Sequence, residues 1–125
     1  MPEKSKKIVI IEDDKILLKA LNVELLGEGF DVVSAIDGES GLKLVKKETP
    51  DLVILDLILP KMNGFDVLAA LKKDDATMNI PIVILTNLGE DENRRKGMKM
   101  GAMDYFVKSS VGIEDITTKI NRIFG

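Results

Sequence analysis

The chain has 125 residues, 45% of them hydrophobic and 31% charged, with a net charge of −3. That fits one soluble globular domain with its own core and leaves little room for a second. There is no cysteine and no histidine, which excludes disulfides, zinc–thiolate sites, thiol or Ser-His catalysis and imidazole-bound metals; any metal here is a hard cation on oxygen ligands.

Lysines and acids are interspersed along the chain, so nothing marks a nucleic-acid footprint. No apolar run approaches membrane-spanning length. The start, Met1 to Lys7, is charged and lacks the apolar centre of a secretory signal, so a cytoplasmic address is expected.

The β-branched run Ile8-Val9-Ile10-Ile11 reads as a first strand that stops at Glu12-Asp13-Asp14. A helix follows, with Leu17, Leu18, Leu21 and Leu25 on one face, Asp14 as its N-cap and Gly27 and Gly29 at its end. Asp31 to Ala35 is a weaker, edge-like second strand, and Asp37 to Lys47 a second helix with Leu42 and Val45 inward. Leu52-Val53-Ile54-Leu55, between Pro50 and Asp56, is the third strand; Pro60 to Gly64 is a loop and Phe65 to Lys73 a helix. Ile80 to Leu85 is the fourth strand. Glu90 to Met100 is a poor helix, charged and interrupted by Gly97. Met103 to Val107 is the fifth strand, and Ile113, Ile116, Ile120 and Ile123 line one face of a closing helix. Strict alternation of five strands and five helices predicts an α/β fold with a five-stranded parallel sheet and right-handed crossovers. The near-continuous apolar strands fit a sheet covered on both faces.

Ligands of open parallel sheets bind beyond the carboxyl ends of the strands. The residues that follow the strands are Glu12, Asp13 and Asp14 after the first, Asp56 after the third, Thr86 after the fourth and Lys108 after the fifth. Carboxylates, a hydroxyl and an ammonium would thus converge on one edge. Crowded carboxylates repel, and protonation or a divalent cation relieves them; Mg²⁺ favours a few carboxylates, water and phosphate oxygens. A carboxylate in such a site is a nucleophile toward phosphorus, and a metal, a lysine and a hydroxyl donor neutralise the charge of a transferring phosphoryl group. With no evident base to activate water, the set suits phosphoryl transfer onto an aspartate better than hydrolysis.

These residues, in the segments DLVILDLILPKMNG, PIVILTN and GAMDYFVK, make the chain similar to the receiver domain of bacterial two-component response regulators over essentially its whole length, 1–125, as one domain. The resemblance implies a flavodoxin-like (βα)5 three-layer sandwich with strand order 2-1-3-4-5. It implies that Asp56 is the phosphoacceptor, that Asp13 and Asp56 hold Mg²⁺ directly with Glu12 reaching it through water, and that the Ile58 carbonyl is a further ligand. Thr86 and Lys108 would bind the phosphoryl oxygens, Tyr105 would be the rotating aromatic switch, and Pro60 and Gly64 would belong to the loop after the acceptor. The implied partners are a sensor histidine kinase or a histidine phosphotransfer protein as donor, and an output partner the sequence does not name, which could be a second copy of the chain through the face of the fourth helix, fifth strand and fifth helix. The chain would not be an enzyme beyond catalysing its own phosphorylation and dephosphorylation.

Three features depart from the family pattern. Lys108 is followed by Ser109 rather than proline, so a trans bond is expected there; Asn87 stands where a very small residue is usual; and Asp13-Asp14 could replace Glu12-Asp13 as the acidic pair. Two other readings remain at this point: a receiver-like interaction module that no longer takes phosphate, and an aspartyl-phosphate phosphatase of the haloacid-dehalogenase type. The phosphatase needs an Asp two places after the nucleophile, where Ile58 stands, and a cap domain for which there is no room. No output domain follows Gly125, which suggests a stand-alone or excised receiver.

Overall fold

The computed structural model describes residues 5–125; of the charged start, residues 1–4 lie outside the described residues. The elements alternate as β1 (Lys7–Ile11), α1 (Lys15–Gly27), β2 (Asp31–Ala35), α2 (Gly38–Glu48), β3 (Leu52–Leu55), α3 (Gly64–Lys73), β4 (Ile82–Thr86), α4 (Asp91–Lys99), β5 (Asp104–Val107) and α5 (Ile113–Phe124). All strands pair in parallel in the order β2-β1-β3-β4-β5, with Ile10 opposite Ile54, Ile54 opposite Val83 and Thr86 opposite Val107. This is the flavodoxin-like α/β fold.

Strand alternation divides the core in two. Ile8, Ile10, Leu52, Ile54, Val83 and Leu85 face one way and meet Leu18, Leu21 and Leu25 of α1 and Ile116 and Ile120 of α5. Val9, Ile11, Val53, Leu55, Ile82 and Ile84 face the other way, against Val45 of α2 and Val67, Leu68 and Leu71 of α3. Each such fully buried Leu or Ile contributes about 1.5–3 kcal/mol, so the central strands are fixed on both faces. The edge strand β2 is only partly covered.

Short polar side chains start the helices. Asp14 accepts from the Ile16 and Leu17 N–H groups at 3.0 and 3.2 Å. Asp37 accepts from the Ser40 N–H at 2.7 Å, and Asn63 from the Asp66 N–H at 3.0 Å. A cap of this kind is worth about 1 kcal/mol. α4 has no side-chain cap bond, and Gly97 is its one buried residue.

Element boundaries shift slightly from those expected. Ile80 closes a turn on the Thr77 carbonyl and Pro81 has no N–H to give, so β4 begins at Ile82; it runs on through Thr86. β5 begins at Asp104 rather than Met103. A 3-10 turn at Lys108–Ser110, unforeseen in the sequence, follows β5 directly, and the Lys108–Ser109 bond is trans as expected. No helix among the described residues is long and apolar enough to cross a membrane.

Candidate phosphoacceptor site

The strands bring the chemistry to one edge. Glu12 lies one residue beyond β1, Asp56 one beyond β3 and Lys108 one beyond β5, while Thr86 is the last residue of β4. Glu12, Asp56 and Thr86 are buried, at 2%, 3% and 0% exposure. The Lys108 ammonium donates to Asp56 Oδ2 at 2.8 Å and bridges both Glu12 oxygens, at 2.9 Å to Oε1 and 3.0 Å to Oε2. The backbone completes the fixation: Asp56 Oδ1 accepts from the Ile58 N–H at 3.2 Å, and Glu12 Oε2 from the Asp14 N–H at 3.0 Å. Asp13 is exposed, yet it has a carboxylate oxygen within 4.8 Å of oxygens on both Glu12 and Asp56.

This geometry favours the earlier acidic pair. Glu12, Asp13 and Asp56 gather, whereas the Asp14 side chain is engaged in capping α1. The loop after Asp56 is held by close backbone approach. A Cβ on Gly64 would come within 2.1 Å of the Asp56 carbonyl oxygen, and the Gly64 N–H bonds to the Leu57 carbonyl at 2.8 Å. Pro60 accepts at its carbonyl from Gly38 at 3.2 Å and Met62 at 2.7 Å, which ties the same loop to the start of α2.

Burial pushes the Glu12 carboxyl up to about 7, although the Lys108 ammonium and the Asp14 N–H act in the opposite sense. For Lys108 burial acts to lower the pKa, but the hydrogen bonds it donates to Asp56 and Glu12 prevail and raise it. One ammonium faces three carboxylates, so with all three ionised the cluster carries excess negative charge. Every donor is oxygen, the set that Mg²⁺ takes in preference to softer metals; the residues therefore fit the ion.

The remaining expected residues lie around this cluster. Ile58 is 54% exposed, so its side chain lies outside the core. Asn87 is also exposed, and Leu88 is half-buried. Tyr105 is already inward, with its hydroxyl donating to the Leu88 carbonyl. The Leu88 N–H in turn makes a long 3.5 Å bond to Thr86 Oγ1. Leu88 thus joins Thr86 and Tyr105 through its backbone, a link no sequence signal announced, because its side chain has no part in it. Sequence reasoning also missed Arg94, which donates to the Tyr105 carbonyl at 3.1 Å and was indistinguishable from its charged neighbours.

The family model of the response regulator receiver domain matches residues 8–121, and the chain belongs to that family. The DNA-binding dual master transcriptional regulator RpaA of Synechocystis sp. is 36% identical over 117 residues, 94% of this chain and 48% of its own length. The chain spans less than half the length of that relative. A CheY-like receiver domain protein from Methanospirillum hungatei superposes with a TM-score of 0.88 at 28% identity, covering 95% of this chain and 93% of its own. The Mn²⁺-bound form of response regulator Rcp1 does so at 0.80 and 25% identity, covering 94% and 91%. Family membership removes the dehalogenase-type phosphatase from the readings.

Proposed function

We propose that the chain is the phosphoacceptor receiver of a two-component phosphorelay, with residues 1–125 acting as one unit and Asp56 taking the phosphoryl group. The observation that carries this is the buried Asp56 carboxylate paired at 2.8 Å with Lys108, beside a carboxylate cluster suited to a hard cation. A receiver-like module that takes no phosphate would leave this buried pair without a use.

Asp13 and Asp56 would hold Mg²⁺ directly, Glu12 through water, and the Ile58 carbonyl would add a ligand; that the similar response regulator Rcp1 has a Mn²⁺-bound form supports a divalent ion for this chain. When bound, the ion offsets the charge of the phosphoryl oxygens. The chain's own groups do the rest. An Asp56 oxygen attacks phosphorus, the bond from phosphorus to the donor breaks, and its electron pair leaves with the donor. Lys108 shifts from pairing the carboxylate to pairing a phosphoryl oxygen, and the Thr86 hydroxyl donates to another.

The donor in this family is a phosphohistidine, and because this chain has no histidine it would come from another molecule, a sensor kinase or a phosphotransfer protein. A small acyl phosphate serves as well, because the receiver supplies the acceptor and the metal ligands. The output partner, or a second copy of the chain, would dock on the face of α4, β5 and α5, and the cytoplasmic address is part of the same proposal. Intact mass after acetyl phosphate with Mg²⁺ tests the reading: one phosphoryl group is expected, lost in Asp56→Asn and diminished by a chelator. Labelling that persists in Asp56→Asn or is indifferent to chelator contradicts it.

A further inference from the structure

Tyr105 is held in place from three sides. Its hydroxyl donates to the Leu88 carbonyl. One ring edge lies against Gly97, where an added Cβ would come within 3.3 Å of Tyr105 Cδ2 and 2.8 Å of Ile84 Cδ1. The Arg94 guanidinium covers the ring at 5.1 Å from its centroid, and its Nη1 bond of 3.1 Å to the carbonyl of the same residue fixes it there. Only 2% of the tyrosine remains exposed.

We propose that Arg94 is a positioning residue that clamps Tyr105 inward in the resting chain, so that phosphorylation acts on a tyrosine already set rather than turning it from solvent. The Arg94 position on α4 matters because α4 reaches the core through Gly97 alone and has no side-chain cap. With so little else anchoring the helix, the Arg94–Tyr105 contact also registers α4 against β5. The path to the acceptor then runs through the Leu88 backbone, bonded to Thr86 on one side and Tyr105 on the other. A movement of Thr86 would be felt at the tyrosine hydroxyl and then at α4, without rotation of the ring. The phosphorylation arm of this inference rests on the function proposed for Asp56; the resting-state arm does not.

The chain has one tyrosine and no tryptophan, so its tyrosine emission reports Tyr105 alone. Acrylamide quenching of that emission, in protein free of metal and phosphoryl donor, is expected to be weak in the parent chain. Loss of an exposed cation–π contact shifts an inward–outward equilibrium by about two- to fivefold, so Arg94→Ala should be quenched more. Arg94→Lys keeps a cation over the ring and should restore part of the protection. Gly97→Ala, which crowds the ring, should raise quenching with Arg94 intact. After acetyl phosphate and Mg²⁺, with phosphorylation checked by mass, the parent should show unchanged quenching, while Arg94→Ala should become more protected. Free quenching of the unphosphorylated parent, or equal quenching of the parent and Arg94→Ala, overturns the clamp. Failure of the mass check alone instead overturns the Asp56 reading.

Discussion

Glu12 shows how one residue can serve the fold poorly and the site well. Its carboxyl is buried to 2% exposure and held up to about 7 from an ordinary 4.5. A group whose pKa rises on folding contributes stability that is present below its unfolded value and lost as pH climbs through its folded value. The metal-free protein should therefore lose stability between pH 4.5 and about 7, and Glu12→Gln should flatten that slope in urea unfolding at stepped pH. An unchanged slope would show that Glu12 is not its source. The neighbouring aspartate carries a different expectation. Asp13 is exposed and aimed at the cluster, while Glu12 is already bridged by Lys108, so Asp13→Ala should weaken Mg²⁺ binding more than Glu12→Ala. Calorimetric titration giving the reverse order would contradict the assigned ligands. Ile58 and Leu88 stand two residues beyond Asp56 and Thr86, and neither side chain can orient a water. The phosphorylated form should accordingly be long-lived, and Ile58→Asn with Leu88→Glu should hasten its loss, read as the decay of phosphorylated mass; an equal rate would refute the argument.

At the scale of elements, α4 stands apart. Its exposed residues include Arg94, Arg95, Lys96 and Lys99, and only Gly97 is buried. The sequence showed this weakness directly, since the stretch has few apolar anchors and a glycine that costs about 1 kcal/mol in a helix. What the sequence could not show is why the glycine stands there: it lets α4 approach Ile84 and Tyr105 more closely than any side chain would allow. Lys96 over the Phe65 ring at 4.1 Å ties α4 to α3 in the same manner. Such pairings depend on which elements become neighbours in space, and that information is not local to the segment. Weakly anchored elements shift at low cost. Hydrogen exchange between Asn87 and Tyr105 should therefore change on phosphorylation more than exchange in α1 and α2. Uniform change, or change confined to α1, would place the output face elsewhere.

Across the whole molecule, the alternation of strands and helices was legible because β1, β3 and β4 are continuous apolar runs and the helices carry periodic leucines and isoleucines. The parallel sheet followed from that alternation, while the strand order came through family resemblance. Asp56, Thr86 and Lys108 could be picked out because a residue at or just beyond a strand's carboxyl end has one place to go. The acidic register was ambiguous by one residue in the sequence, where the preference for Glu12-Asp13 rested on their following the apolar run directly; the Asp14 side chain, expected as the N-cap, does cap α1. The 3-10 turn after β5 was also hidden, since Lys108-Ser109-Ser110 carries no turn-forming glycine or proline. The central claim is that this fold exists to present Asp56 to a phosphoryl donor, and an aspartyl phosphate is an acyl phosphate that borohydride reduces to an alcohol. Treatment with acetyl phosphate and Mg²⁺, borohydride reduction, and peptide mass spectrometry should find homoserine at position 56 and unmodified residues at Glu12 and Asp13. Reduction at any other carboxylate, or none at Asp56 while the intact mass shows a phosphoryl group, would contradict the account.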